Sequence, residues 1–495
     1  MKHIIVLSVL ITYASICRAT VLEIGPGKQY SRLQSAAAQA KPGDTLLLRA
    51  GVYPGGEYIE NLQGTAERHI IIRAADGEEV VFRGGGSAFQ LTDPAYLSIE
   101  GLIFEQQTGN GVNIDDGGTY DTPAHHITFS DCEWRSMNAT GNNDELKMSG
   151  VDSFTVNRCR FLNGADGGSL IDMVGCHYGI FSENYFENGG SNCIQAKGGT
   201  SYILITRNRF NNGGERAINI GGSTGLQFFR PLGINYEAAY IRVVSNIFIG
   251  ATAPVAFVGA VQCEVANNTF FRPERWAVRI LQETVGNGFL PCGNNSFQNN
   301  IIVFSSTQPA FNIGGNTAPE TFSYGWNLWF NPDNPSWGGP NIAIEKDTSR
   351  IIANPLFIDT IQFIPSNQSP AIGSGSPDKA DYTDFKGREF STQFSMGRNR
   401  SRGAIEFYST QSISDNSQKN SLFYPNPSSD EIFCPLPHKI IMPYVTLIHS
   451  LSGDSFHVPV TSSEQGISFD CSSIPSGLYI VQAAQENLGK IVIRR

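Results

Sequence analysis

Short segments of alternating apolar and polar residues recur between residues 111 and 281. Six five-residue copies align, and their second and fourth positions are apolar in each: Val112/Ile114, Leu146/Met148, Ile171/Met173, Ile194/Ala196, Ile218/Ile220 and Val278/Ile280. Side chains along a strand point alternately to opposite faces, so these positions point inward and the third position points outward. The third positions form a polar column: Asn113, Lys147, Asp172, Gln195, Asn219 and Arg279. The alternation predicts stacked strands with an apolar inner face and a polar outer face.

A second repeat consists of strand-like segments that end in an aromatic residue. The aromatic residues are Trp134, Phe161, Phe186, Phe210, Phe248 and Phe270, at steps of 27, 25, 24, 38 and 22 residues, and the long step contains extra residues at 223–239. Such a period in β-rich segments is typical of a β-solenoid. In the later copies an asparagine lies two positions before the aromatic residue. We expect these asparagines to stack as a ladder inside the solenoid.

Composition and charge exclude several classes of protein. Apolar residues make up 40% of the chain and charged residues 16%, which excludes a disordered or coiled-coil protein. The formal net charge of −10 argues against a nucleic-acid partner. The cysteines after Cys17 form no CxxC pair, which argues against a zinc ribbon or a thioredoxin-like centre. Disulfides and buried free thiols both remain open for them.

The two ends of the chain differ in composition from its middle. Lys2 and His3 precede an apolar run at residues 4–16, and Ala19 offers a small residue for cleavage, so residues 1–19 are predicted to be a signal peptide. No later run of about 18 apolar residues follows, and we expect no transmembrane segment. The polar residues 409–421 predict a linker between a domain at residues 20–408 and one at residues 422–495.

Residues 20–408 open and close with segments that resemble those of secreted pectin-lyase-like proteins. These segments are Tyr30, Pro42-Gly43-Asp44-Thr45 and Gly51-Val52-Tyr53 near the start, and Ser369-Pro370-Ala371-Ile372-Gly373 and Arg402-Gly403-Ala404-Ile405-Glu406-Phe407 near the end. The resemblance implies an all-β fold, a right-handed parallel β-helix. It is specific for the fold and not for the reaction, because one scaffold hosts several chemistries. An Ala-rich stretch at residues 31–40 predicts a short helix that caps the open end.

Residues 422–495 resemble a C-terminal sorting domain. The motifs are Tyr424-Pro425-Asn426-Pro427, Leu451-Ser452-Gly453, Ser476-Gly477-Leu478-Tyr479 and a basic end at residues 490–495. Such domains are small β-sandwiches that send proteins through the type IX secretion machinery of Bacteroidota-like bacteria. The resemblance implies a secreted or cell-surface protein with that machinery as a partner.

The polar outer column offers the residue types for β-elimination on a uronate-containing acidic polysaccharide. This reaction needs a base for the proton alpha to the carboxylate, and cationic or amide groups that stabilise the resulting carbanion. Lys197 is the predicted base. Arg216, one coil away, is predicted to neutralise the substrate carboxylate and to favour the neutral form of Lys197 by charge repulsion. The predicted substrate-binding residues are Lys147, Gln195, Asn219 and Arg230.

Residues 193–198 and 215–221 are similar to the chondroitinase B and alginate lyase family of polysaccharide lyases. That resemblance implies a lysine and an arginine on successive coils that act as base and acid beside a calcium ion. Lys197 has the strand position of the family's lysine, whereas Arg216 lies before the inward pair of its strand. Glu145 and Asp172, on neighbouring coils, are predicted calcium ligands because Ca²⁺ prefers oxygen ligands.

Two other functions use the same polar column. A glycoside hydrolase would place two carboxylates on either side of the bond, and Glu145 with Asp172 is the pair that fits. A non-catalytic glycan-binding protein would need the groove alone. The histidines His125, His126 and His177 match no HExxH pattern, so we expect them to be structural or surface residues.

Overall fold

The structure is a computed structural model. It describes residues 19–286, 288–378, 380–390 and 399–407, and near the C-terminus residues 431–435, 444–449, 455–462, 466–475, 477–483 and 486–493. The predicted linker and all of the predicted signal peptide except Ala19 lie outside the described residues. Backbone contacts divide the chain into two units, Met1–Glu406 and Phe407–Arg495.

Three parallel sheets wind the first unit into a right-handed β-helix, which confirms the predicted fold class. The ten-stranded sheet contains Glu57–Glu60, Phe89–Thr92, Val112–Asp115, Leu146–Ser149, Ser169–Val174, Asn192–Lys197, Arg216–Gly221, Ala253–Val258, Val278–Leu281 and Phe311–Ile313. The twelve-stranded sheet contains Gly51–Pro54, Val80–Arg83, Ile103–Glu105, Glu133–Arg135, Arg160–Leu162, Tyr185–Glu187, Arg209–Asn211, Ile247–Ile249, Thr269–Phe271, Ile301–Val303, Leu328–Phe330 and Ile351–Ile352. The sixteen-stranded sheet contains Val21–Ile24, Thr45–Leu48, Ile70–Ala74, Ala95–Glu100, Ala124–Ser130, Val151–Asn157, His177–Ser182, Thr200–Thr206, Ala238–Ala239, Arg242–Val244, Ala260–Val261, Glu264–Ala266, Cys292–Gly293, Ser296–Gln298, Thr317–Ala318 and Ser323–Gly325.

The ten-stranded sheet has the register that the alternating pattern predicts. Lys147, Asp172, Gln195 and Asn219 are successive register partners, and their apolar neighbours on both sides are fully buried. One coil was absent from the predicted alignment, since Ala253–Val258 lies between Arg216–Gly221 and Val278–Leu281 and is buried at every position. The polar column is therefore interrupted there by an alanine.

The predicted asparagine ladder is present in the interior. Each ladder asparagine donates its side-chain amide to the side-chain oxygen of the next, at 3.0–3.1 Å, along Asn184, Asn208, Asn246, Asn268, Asn300 and Asn327. The aromatic residues stack beside it with ring centroids 4.6–5.1 Å apart, along Trp134, Phe161, Phe186, Phe210, Phe248 and Phe270. These two columns hold neighbouring coils in register, because a buried amide or ring loses its partner if one coil slips.

A helix covers the first coil, and free thiols lie in the core. The helix spans Leu33–Ala37, shorter than predicted, and buries Leu33, Ala36 and Ala37. The 3₁₀ helices are Leu226–Phe228, Pro319–Thr321 and Ile344–Lys346. The cysteines with described side chains are buried free thiols: Cys132, Cys159, Cys176, Cys193, Cys263, Cys292 and Cys471. No helix within the described ranges is long and apolar enough to cross a membrane.

The second unit contains two antiparallel sheets. One consists of Glu431–Pro435, Gly466–Asp470 and Thr461–Ser462, and the other of Ser455–Pro459, Tyr444–His449, Gly477–Ala483 and Glu486–Ile493. Buried apolar side chains such as Val445, Leu447 and Val481 form a small core of its own.

Candidate functional site

A cavity of about 650 Å³ lies at the C-terminal ends of strands in the ten-stranded sheet. It is lined by Asp115, Asp116, Gly118, Tyr120, Lys147, Ser149, Gly150, Val174, Lys197, Ser223, Thr224, Gly225, Phe228 and Arg230. At three successive coils, a turn of one or two residues leads from this sheet into the next. These turns begin with Gly150, Gly175 and Gly198. Their φ angles of 61–67° favour glycine, and a Cβ on Gly150 or Gly175 would clash with the loops above.

Two long loops, residues 116–123 and 222–237, rise on either side of these short turns. We call them the bridging loops, because they leave strands four coils apart and contact each other. The Tyr120 hydroxyl donates a hydrogen bond to the Gln227 carbonyl, and Arg230 Nε donates to the Tyr120 carbonyl at 3.2 Å. Phe228, which lines the cavity, is 60% exposed. The bridging loops convert an open groove face into a walled cavity.

Arg230 attaches the second bridging loop to the β-helix. Its guanidinium donates to both carboxylate oxygens of Asp152 at 2.7 and 2.8 Å and to the Gly175 carbonyl at 3.0 Å, and it lies 2.8 Å from Nδ1 of His177. Burial opposes the charge of Asp152, but hydrogen bonds from Arg230 and His177 outweigh it and lower its pKa to about 2. That Arg230 binds substrate stays a prediction, since Arg230 lines the cavity while its guanidinium also contacts these protein acceptors. His177 is structural, as expected.

Glu237 fixes the two ends of the same loop and was not singled out from the sequence. Its carboxylate is fully buried and accepts hydrogen bonds from the Gly198 and Thr224 amides at 3.0 Å and from the Thr224 and Thr284 hydroxyls at 2.8 and 2.5 Å. A buried carboxylate is tolerated when its oxygens are hydrogen-bonded in this way. Both ends of the second bridging loop are therefore held in place next to Lys197.

Two lysines of the cavity share one carboxylate. Lys147 Nζ contacts Asp172 Oδ2 and lies 3.6 Å from Asp144 Oδ2, and Lys197 Nζ lies 3.3 Å from Asp172 Oδ2. The side chains of Lys147 and Lys197 are 20% and 15% exposed, whereas Asp172 is buried beneath them. Burial, and then the charge of Asp172, raise the pKa of Asp144 to about 6. The arrangement presents two ammonium groups to the cavity above buried acids.

Glu145 does not belong to this cluster, which corrects its predicted place. Its side chain is fully buried, neither of its oxygens has a hydrogen-bond partner among the described residues, and burial raises its pKa well above the usual value. Its electrostatic neighbours are Glu133 and the core residue Cys193. The strand begins only at Leu146, so alternation does not extend back to Glu145. Asp144, which the sequence analysis missed, contacts Lys147 instead.

Arg216 and Lys197 lie at opposite ends of their strands. Arg216 is in register with Asn192, five residues before Lys197, which corresponds to ~17 Å along the strand. The Arg216 guanidinium contacts Glu283 at 3.0 Å and the Asn219 side-chain oxygen at 3.2 Å, while Lys197 lies 3.4 Å from the Gln195 oxygen. Gln195 and Asn219 are register partners and lie between the two cations. The cation that accompanies Lys197 is therefore Lys147.

Calcium does not fit the two predicted ligands. Asp172 Oδ2 already contacts two ammonium groups, and Glu145 is enclosed in the core. Ca²⁺ takes about 6–8 oxygen ligands. Across the part of the chain that the structure describes, no group of three or more His, Cys, Asp or Glu side chains could hold a metal ion.

Two family models match the chain. Residues 75–270 match the right handed beta helix region, and residues 422–494 match the secretion system C-terminal sorting domain. The fold and these matches define a β-helix protein with a type IX sorting domain, as the sequence motifs predicted. The sorting domain indicates secretion or attachment to the cell surface.

Several solved structures are similar to this chain. Pectate lyase Pel9A is 15% identical with a TM-score of 0.48, and the match covers 79% of this chain and 97% of that one. An alginate lyase from Paenibacillus sp. str. FPU-7 is 18% identical with a TM-score of 0.40, covering 63% and 95%. A lacto-N-biosidase from Eubacterium ramulus is 13% identical with a TM-score of 0.43, covering 68% and 67%. No curated protein matches the sequence.

Proposed function

We propose that this protein is a secreted polysaccharide lyase that cleaves a uronate-containing acidic polysaccharide by β-elimination in the cavity between the bridging loops. The observation that carries the proposal is the placement of Lys147 and Lys197, whose side chains line one cavity and share the buried Asp172. Ammonium groups fixed in a cavity complement the carboxylate of a uronate. Export supports a polymer outside the cell as the substrate.

Lys147 binds the substrate carboxylate. Burial opposes its charge, but Asp172 and Asp144 outweigh burial and raise the pKa of Lys147, so this side chain stays protonated at neutral pH. A cation beside the uronate carboxylate stabilises the negative charge that develops there when the alpha proton leaves. This role replaces the one first predicted for Arg216.

Lys197 is the base. Among the described carboxylates it contacts Asp172 alone, whereas Lys147 contacts both Asp172 and Asp144, so Lys197 is the less strongly held cation. Once this ammonium has released a proton to water, the amine takes the alpha proton, the carbon–oxygen bond at the β carbon breaks, and a carbon–carbon double bond forms. Asp116 lines the same cavity, and burial raises the pKa of its carboxyl, which suits it to protonate the leaving oxygen.

A glycoside hydrolase that uses Glu145 and Asp172 receives less support from this geometry. Hydrolysis needs two carboxylates that flank the glycosidic bond and reach it. Both side chains are buried, and neither lines the cavity. A non-catalytic glycan-binding protein would share the cavity, and the products of an assay separate it from a lyase.

The test is an assay of the secreted protein on polygalacturonate, alginate, hyaluronate and chondroitin sulfate. Ultraviolet absorbance of the unsaturated uronate ends follows the reaction, and mass spectrometry of the products confirms the double bond. We expect unsaturated oligosaccharides from at least one of these polymers. Saturated products alone would indicate a hydrolase, and a protein that binds the polymers without any product would indicate a binding function.

A further inference from the structure

A second group of cations lies on the outer face of the ten-stranded sheet, beyond the cavity. Arg279 is the second residue of Val278–Leu281 and points outward, three coils from Gln195, which corresponds to ~14 Å along the solenoid. Arg275 and Trp276 lie in the turn that enters this strand. Arg216 begins a strand two coils earlier on the same sheet. The group therefore lies on the same sheet as the cavity.

Trp276 orders the two arginines that flank it in sequence. The guanidinium carbon of Arg275 lies 4.3 Å from the centroid of the indole ring, and that of Arg279 lies 4.6 Å from it. These distances are typical of cation–π contacts, which orient a guanidinium without using its N–H donors. Arg275 is exposed, and Trp276 and Arg279 are half-buried. The ring and both cations thus form one surface that solvent reaches.

The positive charge of this surface is not neutralised by direct ion pairs. Among the described residues Arg275 and Arg279 form no salt bridge, and Arg279 Nε donates to the neutral side chain of Asn312 at 3.0 Å. Burial and then the charge of Arg216 lower the pKa of Arg279, although Glu283 and Glu215 act in the opposite direction. Arg216 Nε is buried without a hydrogen-bond partner among the described residues. An anion at this position would relieve the repulsion between the arginines.

We infer that Arg275, Trp276 and Arg279 form a subsite that binds a uronate unit of the polymer at a distance from the bond that is cleaved. A uronate offers a planar carboxylate, which a guanidinium binds through two N–H donors, and Trp276 holds the two guanidiniums in place for it. The inference rests on the proposed function for the class of polymer. A chain must extend over several sugar units to occupy the cavity and this subsite together, so the subsite selects long substrates.

The test measures binding of polygalacturonate and alginate to the secreted protein by calorimetry, with neutral dextran as the reference polymer. The variants are Arg275→Gln/Arg279→Gln and Trp276→Ala. The control is Arg272→Gln, which removes a nearby exposed arginine that contacts Phe271 and Asp333 instead. We expect the double variant to weaken the binding of the polyuronate by about 10- to 100-fold and the control by about twofold or less. Cleavage of uronate trisaccharides should keep the wild-type kcat/KM in all variants.

Melting temperatures establish that the variants are folded, and Arg279→Lys, which keeps the charge, should bind more tightly than Arg279→Gln. Unchanged polyuronate binding by the folded double variant overturns the subsite, as does an equal loss of dextran binding. If the double variant loses binding but the wild-type protein makes no unsaturated ends, the subsite stands and the lyase proposal fails. If the wild-type protein forms unsaturated ends and the double variant binds as tightly as the wild type, the lyase proposal stands and the subsite fails. A wild-type protein that binds neither polyuronate overturns the subsite, and the cleavage assay then decides the lyase proposal.

Discussion

Arg230 and Asp152 form an ion pair that joins segments 78 residues apart, with both carboxylate oxygens within 2.8 Å of the guanidinium. Arg230 belongs to the second bridging loop, and Asp152 belongs to the coil that begins directly after Gly150 in the lining of the cavity. The pair is largely shielded from water, since the two side chains are 10% and 20% exposed. The wall of the cavity is therefore held by one charged contact and the hydrogen bonds around it.

Replacing Arg230 should loosen the second bridging loop. We expect Arg230→Ala to cost about 1–3 kcal/mol of unfolding free energy, because it leaves Asp152 without its main partner. Limited proteolysis should cut within residues 222–237, and activity on polymer should fall. The matched control is Arg158→Ala, which removes an equally close but exposed pair with Asp131 and should cost less than about 1 kcal/mol. Equal protease resistance of Arg230→Ala and the wild type would show that the pair does not hold the loop.

The same pair predicts how stability changes at low pH. The pKa of Asp152 is about 2 in the folded protein and about 4 in an unfolded chain, so the folded state favours the ionised form. The contribution, about 2–3 kcal/mol, is present above pH 4 and is lost as the pH falls toward 2. Asp152→Asn should remove that part of the pH dependence. Denaturant melts between pH 2 and pH 6 measure the free energy of unfolding of the wild type and the variant. The same pH dependence in both proteins would contradict the prediction.

Lys197 separates the candidate functions. We expect Lys197→Ala to lower the formation of unsaturated ends by about 10²- to 10⁴-fold, because the base is removed, while polymer binding stays close to that of the wild type. Lys197→Arg should fail as well, since a guanidinium stays protonated. Lys28→Ala, which removes a lysine paired with Glu23 at the surface, is the control. Activity that survives in Lys197→Arg and is lost in Asp172→Asn would favour a hydrolase.

Neighbouring residues of one strand should differ sharply in their effect on stability. Ile194 is fully buried between Ile171 and Ile218 of adjacent coils, so Ile194→Ala should cost roughly 2–5 kcal/mol. Gln195 points outward, and Gln195→Ala should cost less than about 1 kcal/mol. Denaturant melts of both variants provide the comparison. Similar losses at the two positions would contradict the strand register.

Export should depend on the second unit. A chain that ends after residue 408 keeps the whole β-helix core. It should still fold and unfold cooperatively, because the two units have separate apolar cores. Without residues 422–494 it should accumulate in the periplasm rather than outside the cell. Cell fractionation with the full-length chain as the reference measures this. Surface localisation of the shortened chain would contradict the role of the sorting domain.

The repeating part of this protein could be predicted from the sequence because its rules are local. Alternation along a strand assigned Ile194 to the core and Gln195 to the surface, and the recurrence of asparagine before the aromatic residue indicated the ladder that includes Asn208 and Asn246. Each coil repeats the same short pattern, so one rule applied many times gives the three sheets. The C-terminal sorting domain could be predicted equally well, because its motifs are short and contiguous.

The candidate site depended on contacts that no local rule describes. Alternation placed Glu145 beside Lys147, but the strand starts one residue later and Asp144 contacts the lysine instead. Position on successive coils paired Lys197 with Arg216, yet the register sets Arg216 at the other end of its strand. Arg230 contacts Asp152, which the sequence places 78 residues away. Ion pairs between coils and the course of the bridging loops are set by tertiary packing, and these decided which charges face the cavity.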